Sequence, residues 1–469
     1  MSAVKLSPAE VTFHPLSYAD ANGRLFWWQG GLYRAITDKR AVLYRQLFDR
    51  GVVQKLNDKG LLVETELTSL LLDGYAMVLR HREVPFVSYC YEWCAAMLKE
   101  AALTVMDVEL ELAREHLNLQ DAHPWNVLFD GVRPVYVDFG SVEPSQSDDS
   151  SWPAHDEFCR FFIYPLYLMA HGHGRIARWL LHDYEGVLQS EFNALIHRRF
   201  GRVRSSQGVA NRLRSVAKRC APLALRPAIK NLISVTRQSL WSPLRSARSR
   251  IEFLEEVRRE VESIDVTSVR TSLSESSLGP SVSVVPEDDS VRAILSDLRP
   301  RTVLSVGGHA EWSFPLLASL GSTIVACDVD EACSTRLFHK ARKKSLPILP
   351  LLLDLRNPSA GYGVRNREMA PATRRLRCEM VMALDVIHRL VFEQHLNFDQ
   401  IVAALSDFSG KRLLVEFVSD EDHFSREWWS GNHSWYTLEN FQEALKRLYR
   451  EVTVVGSGRK RRTVMLCQV

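Results

Sequence analysis

No CxxC pair occurs among the eight cysteines, which stand scattered at Cys90, Cys94, Cys159, Cys220, Cys327, Cys333, Cys378 and Cys467. That spacing argues against a zinc ribbon or a dithiol redox motif, and the mostly apolar surroundings predict buried, reduced thiols. Apolar runs long enough to cross a bilayer are also missing, since the longest, such as FCRFFIYPLYLMAHGHGR, are short and interrupted. The opening MSAVKLSPAEVTFHPLSYAD lacks the basic start and apolar core of a signal peptide, so a cytoplasmic setting is expected. A net formal charge of +3 on 469 residues gives no ground for a nucleic-acid partner. Acidic residues are absent from Phe192 to Arg250, while Arg and Lys recur across residues 198–250. Such a run reads first as a solvated helical face, and second as a surface for an anionic ligand or membrane.

What is present suggests two domains, because the chain is too long for one ordinary core. GRLFWWQGGLYRAI, residues 23–36, reads as two short strands around a Gly-Gly turn. KRAVLYRQLFDRGVVQKLNDKG has helical periodicity and ends at Gly60, LLVETEL and YAMVLRHREVPFVSY read as strands, and YEWCAAMLKEAALTVMDVELELAREH is one long helical pattern. Helices are expected from about Asp156 to Ile196. The HGHG stretch around Gly172, with His171 and His173, could bind a metal but reads better as an exposed loop. VTSVRTSLSESSLGPSVSVVPEDDS, residues 266–290, is Ser-rich and aperiodic, as a linker is. Beyond it, TVLSVGG, STIVACDVD, LPILPLLLD, EMVMALDV and RLLVEFV are apolar strand patterns separated mostly by helical ones, which predicts a mostly parallel sheet. EVTVVGSGRKRRTVMLCQV reads as a closing antiparallel pair.

Two stretches carry chemistry. LNLQDAHPWNVLFDGVRPVYVDFGS sets Asp121, then Asn126 five positions on, then Asp138-Phe139-Gly140 after a strand hairpin. Phosphoryl transfer asks for a carboxylate to take or orient a hydroxyl proton, and for oxygen ligands to magnesium, and this layout supplies both types. The stretch resembles the catalytic segment of aminoglycoside-phosphotransferase-type and protein-kinase-like enzymes. That resemblance implies Asp121 as catalytic base, Asn126 and Asp138 as magnesium ligands on ATP, and His123 and Pro124 as shapers of the loop. A phosphate-pairing lysine on a V-A-I-K-like strand is absent, and Arg34 stands near where it would be. The bland reading is a worn fold that keeps Asp and Asn as turn formers.

In the second stretch, TVLSVGGHAEWSFPLLASLGSTIVACDVDEA, a strand leads into Gly307, a helix, a second strand and Asp328. LPLLLDLRNPS adds Asp354, and VMALDVIHRL adds Asp385 and His388. Glycine after the first strand lets backbone approach a ligand, and an acid after the second can take ribose hydroxyls. The pattern is that of a class I S-adenosylmethionine site, in which Gly307, Asp328 and Asp354 bind the cofactor and Asp385 and His388 lie near the acceptor. DLRNPSAGYG, ALDVIHRL, LLVEFVSDED and WYTLENFQEAL resemble the bacterial methyltransferase-like family related to nodulation protein NoeA, and VPFVSYCYEWCAAMLKEAAL and WPAHDEFCRFFIYPLYLMA continue the resemblance upstream. Where that family has V-L-D-x-G-x-N-x-G, this chain has Ser305 for the aspartate and Glu311 for the last glycine. A carboxylate at 311 would repel the cofactor's own carboxylate or, with the loop shifted, bond its ammonium. Glu416 at a strand end, and the aromatic stretch REWWSGNHSW, read as acceptor-pocket candidates or, more blandly, as a salt bridge and buried tryptophans.

The expected architecture is therefore an α+β kinase-like domain over 1–265, a Ser-rich linker over 266–285 and an α/β Rossmann-like class I methyltransferase domain over 286–469. The expected function is methyl transfer from S-adenosylmethionine to an oxygen-bearing acceptor, a glycan, cell-envelope or other small molecule. The competing expectations are an ATP- and magnesium-dependent sugar or small-molecule kinase on a degenerate methyltransferase scaffold, and a non-catalytic two-domain binding protein.

Overall fold

The computed structural model describes residues 4–15, 17, 20–145, 152–199, 249–266, 289–419, 433–459 and 462–469. Most of the basic segment, of the Ser-rich linker and of REWWSGNHSW, together with Cys220, lies outside the described residues. The chain forms two compact units. The larger gathers Met1–Val108, Pro124–Gly140 and Val266–Val469, and the smaller gathers Glu109–His123 and Ser141–Asp265.

In the larger unit, a short parallel pair joins β1 (Val4–Leu6) to β6 (Leu70–Leu72). A five-stranded antiparallel sheet follows the order β2 (Thr12–Phe13), β3 (Gly23–Trp28), β4 (Gly31–Ile36), β7 (Met77–His81), β5 (Thr65–Leu67). The β3–β4 hairpin forms because Gln29 and Gly30 both take positive φ, 47° and 74°, which matches the twist of a two-residue turn and pairs Trp28 with Gly31. The glycine pair is thus split, one in the turn and one in the strand. The long helical pattern after it is broken at Gly51 (φ 71°) into Asp38–Asp49 and Val52–Asp58. A further hairpin, β9 (Val127–Asp130) with β10 (Arg133–Tyr136), carries the DFG stretch at its exit.

The same unit holds a seven-stranded sheet built from β12 (Thr302–Val306), β13 (Thr323–Asp328), β14 (Ile348–Leu352), β15 (Cys378–Ala383), β16 (Ser409–Val418), β17 (Glu451–Arg459) and β18 (Arg462–Gln468). Their order is β14-β13-β12-β15-β16-β18-β17, with the first five parallel and β18 antiparallel to β16 and β17. The parallel strands read as near-continuous apolar runs because they are buried on both faces: Leu304, Val325, Leu351, Val381 and Leu414 are all buried. This is the Rossmann-like methyltransferase fold, and its strand order reverses between β12 and β15, where such sheets open a crevice.

Residues 84–108 and 124–140 pack onto this sheet. The helix Glu331–Lys343 sets Phe338 against Phe129, ring centroids 6.3 Å apart at 79°, and Phe129 meets Trp93 at 4.9 Å. The Gly131 turn lies against Pro347 and Ile348 and covers the start of the edge strand β14. Arg375, whose side chain is only 4% exposed, binds the Glu92 carboxylate with both terminal nitrogens, donates to the Val87 carbonyl at 2.7 Å and stacks over the Tyr89 ring at 4.1 Å.

The smaller unit pairs β8 (Leu117–Leu119) with β11 (Val142–Pro144) beside helices His155–Phe158, Tyr164–Ala170, Gly174–Leu180, Gln189–Arg199 and Arg250–Ser263. A π-helical turn at Cys159–Ile163 lies between two of them, and Tyr164 stacks on Phe192 at 4.7 Å. His171 and His173 fall in a turn, and no group of three or more potential metal ligands exists among the described residues. None of the described helices is long and apolar enough to cross a membrane.

Replacing Arg375 by Met is expected to destabilise the protein by about 3–5 kcal/mol in urea unfolding, because it strands the Glu92 carboxylate in the interior. Adding Glu92→Gln to Arg375→Met should recover part of that loss.

Candidate functional site

Strand ends position the acids. Gly307 follows β12 with φ 78° and ψ 146°, a backbone conformation that glycine alone adopts readily, and its N–H donates to the Cys327 carbonyl at 2.8 Å. Asp328 closes β13, and the Leu353 N–H donates to its carbonyl at 3.0 Å. Gly307, Asp328 and Asp354 therefore sit on three adjacent loops at the carboxyl edge of the sheet. Each aspartate is pinned by its own backbone: the Asp330 N–H donates to Asp328 Oδ1 at 2.8 Å, and the Arg356 N–H to Asp354 Oδ1 at 2.9 Å. Asp354 is also gripped by the Arg356 guanidinium, with 2.7 Å from Nη2 to Oδ2. Glu311 pairs with Lys340 Nζ at 2.8 Å, so its carboxylate is offset by a cation within the fold. Ser305 is fully buried in β12.

Across the strand-order reversal, Asp385 follows β15 with φ 56° and is buried. Its N–H donates to Glu416 Oε2 at 2.9 Å, and Arg462 Nη1 donates to Asp385 Oδ1 at 2.8 Å and to Glu416 Oε2 at 3.3 Å. Arg462 reaches this edge because β18 runs against β16, which sets its first residue opposite Val418 at the end of β16. His388 is buried in the short helix Ile387–Phe392. Two acids and one arginine thus meet on the β15 side of the crevice, and neither Arg462 nor its register was evident in the sequence.

The second acid cluster of the larger unit surrounds Arg34 on β4. Its Nη1 donates to Asp20 Oδ2 at 2.9 Å and lies 3.6 Å from Asp138 Oδ1. The Gly140 N–H donates to Asp138 Oδ1 at 3.0 Å, the same turn seen at Asp328 and Asp354. A Cβ at Gly140 would stand 2.9 Å from Arg34 Nη1 and 3.0 Å from Asp138 Oδ1, so a larger residue there would displace the ends of this pair. Tyr44 donates to the Gly140 carbonyl at 3.1 Å and meets the Phe139 ring edge-on at 4.8 Å; burial pushes its phenol pKa up. Asn126 Nδ2 donates to the Tyr136 hydroxyl at 3.3 Å. Arg34 was noted in the sequence, but its partner Asp20 was not.

Asp121 belongs to the smaller unit. Its N–H donates to Ser141 Oγ at 3.0 Å. Burial raises its carboxyl pKa; His123 opposes that shift, and Glu157 adds to it. The neighbouring Leu119 N–H donates to Glu109 at 2.8 Å, and Arg250 binds the same carboxylate and donates to Ser145 Oγ at 2.8 Å. Glu109 is wholly buried, and that desolvation raises its pKa to about 7 despite the Leu119 and Arg250 bonds.

No protein-family model matches the chain. Nodulation protein NoeA of Rhizobium meliloti (strain 1021) is similar to it, with 27% identity over 481 residues that take in 94% of each protein. Solved structures with some likeness include the N-methyltransferase NodS from Bradyrhizobium japonicum WM9, at 12% identity over 38% of this chain and 92% of that one with a TM-score of 0.28. Another is the magnesium protoporphyrin IX methyltransferase ChlM from Synechocystis PCC 6803 with bound SAH, at 17%, 38%, 80% and 0.27. The bifunctional kinase-methyltransferase WbdD gives 16%, 38%, 36% and 0.27. Likeness at these scores carries no argument, and the fold rests on strand order and register.

A pH effect follows from Glu109. Its folded pKa near 7 lies above the ordinary 4.5, so the native state binds the extra proton between those values. Stability should fall as pH rises from about 4.5 to 7, and Glu109→Gln should flatten that slope in urea titrations at a series of pH values.

Proposed function

We propose that this homologue of nodulation protein NoeA is an S-adenosylmethionine-dependent methyltransferase whose donor site is the carboxyl edge of β12, β13 and β14. The observation that carries the reading is the strand order, with its reversal between β12 and β15 flanked by Gly307 on one side and Asp385 on the other. The residues present suit the cofactor. A glycine-only conformation at Gly307 lets backbone come close, and the pinned Asp328 carboxylate suits the two hydroxyls of a ribose. Asp354 would meet the adenine amine if Arg356 shares it, and the Glu311–Lys340 pair removes the repulsion expected of a carboxylate in the glycine loop.

When bound, S-adenosylmethionine supplies a methyl group on a positively charged sulfur. The chain's own part is to orient an acceptor and take its proton. In this reading Asp385, held by Arg462 and by the Glu416 contact to its backbone, accepts a hydrogen bond from an acceptor hydroxyl, and His388 is the candidate base. An oxygen-bearing acceptor, carbohydrate or cell-envelope in kind, fits such a set of acceptors.

A second reading concerns the N-terminal half, taken as a kinase-like module for ATP and magnesium. The observation that favours it is Arg34 beside Asp138, with Gly140 leaving room for both. Asn126 and Asp138 offer the oxygen donors that magnesium prefers. Arg34 would be the cation facing a phosphate.

Titration calorimetry with S-adenosylhomocysteine should show binding, and Asp328→Ala should weaken it by about tenfold or more, the worth of a charge-assisted hydrogen bond. Absence of heat, together with an unmoved melting temperature, would count decisively against the methyltransferase reading.

A further inference from the structure

Glu331 is the first residue of the helix that follows Asp328, and it is buried. A carboxylate there already faces the positive end of its own helix. Its Oε1 also accepts the N–H of Ala95 at 3.0 Å. Ala95 is the first residue of the helix Ala95–Ala113, so its N–H is one of the donors that a helix leaves unsatisfied at its start. A carboxylate at the start of one helix thus accepts an N–H from the start of another, far away in sequence. The same helices are tied again by the Arg342–Glu100 ion pair, and Phe338 between those two points packs on Phe129.

The consequence reaches the donor site through three consecutive bonds. Glu331 fixes the first turn of its helix. Asp330, the preceding residue, caps that helix by accepting the Ala332 N–H at 2.8 Å. The Asp330 N–H in turn orients the Asp328 carboxylate at 2.8 Å. A shift of the helix start would move Asp330, and with it the oxygen that Asp328 presents.

We propose that Glu331 is a positioning residue of the methyl-donor site, seating the Asp328–Asp330 turn on the helix Ala95–Ala113, so that donor binding depends on the N-terminal half of the chain. The inference deepens the methyltransferase reading and rests on it. Nothing in it requires the N-terminal half to turn over a substrate of its own.

The test is calorimetry with S-adenosylhomocysteine on the full chain, comparing wild type with Glu331→Ala, Glu331→Gln and Ala95→Pro. Glu331→Ala should bind about tenfold more weakly. Glu331→Gln keeps an oxygen that can accept the Ala95 N–H, and should stay within about threefold of wild type. Ala95→Pro deletes the donor at a helix position where proline is tolerated, and should weaken binding in the same direction as Glu331→Ala without touching residue 331. Hydrogen exchange at residues 328–334 should quicken in Glu331→Ala and Ala95→Pro and not in Glu331→Gln. If Glu331→Ala proves too unstable to purify, Glu331→Gln and Ala95→Pro still separate the outcomes. Unchanged affinity in Ala95→Pro and Glu331→Ala, with wild type binding normally, overturns this inference and leaves the methyltransferase reading standing. Failure of wild type to bind overturns both.

Discussion

A helix N-terminus buried inside a protein needs acceptors for its first N–H groups, and here one of them is met by a carboxylate that stands at the start of another helix. The bond from Ala95 to Glu331 joins a helix that begins in the N-terminal half to the helix after the second parallel strand. The rest of the larger unit is consistent with that junction. Trp93, Phe129 and Phe338 fill the space behind it, Arg375 locks the segment just before Ala95 through Glu92, and the Gly131 turn shields the edge of β14. Apolar burial supplies most of the stabilisation in such a contact, while buried charges add a demand for one geometry. Arg375 illustrates the demand. Its guanidinium is satisfied by a carboxylate, the Val87 and Ala370 carbonyls and the Tyr89 ring together, and no slid arrangement would satisfy all four.

The seven-stranded sheet brings several strand ends to one edge. Parallel strands must all finish on the same side, so residues that follow β12, β13, β14 and β15 are neighbours there whatever lies between them in sequence. The antiparallel β18 adds what parallel strands cannot, a residue at its beginning. Arg462 arrives at the edge by that route and neutralises one charge of the Asp385–Glu416 pair. Asp385 tolerates φ 56° because a short polar side chain is among the few that accept the left-handed region.

The sheet strands were legible because burial on both faces demands unbroken apolar runs, and those runs stood out in TVLSV, TIVACD and ILPLL. The acids at their ends were legible for the same reason, as polar residues stopping an apolar run. Register was not. Arg462 lies in a basic run, RKRR, that by composition could sit anywhere in a turn, and only the pairing of Val418 with Arg462 brings it to the edge where Asp385 lies. The helical pattern from Lys39 to Gly60 hid its break, because a glycine within a periodic run is compatible with a continuous helix until its φ is known. Glu331 gave no signal at all. An acid in the first turn of a helix is ordinary, and what makes this one unusual is a partner that lies hundreds of positions away. Asp20 likewise became interpretable only when the hairpin set Arg34 over it.

One local device recurs where the chemistry is expected, and it links the two halves more closely than their folds do. Asp138, Asp328 and Asp354 each accept, through Oδ1, the N–H of the residue two positions on, at 3.0, 2.8 and 2.9 Å. The turn costs the side chain its rotamer freedom before any ligand arrives, so a ligand that meets the other oxygen orders less on binding. What differs is the surrounding charge. Arg34 stands beside Asp138 and Arg356 grips Asp354, whereas the turn of Asp328 is carried by a helix anchored at Glu331. The three aspartates are thus alike in sequence role and unlike in what holds them. Of the two that follow strands of the seven-stranded sheet, Asp328 is the one whose turn is tied through Glu331 to the N-terminal half of the chain.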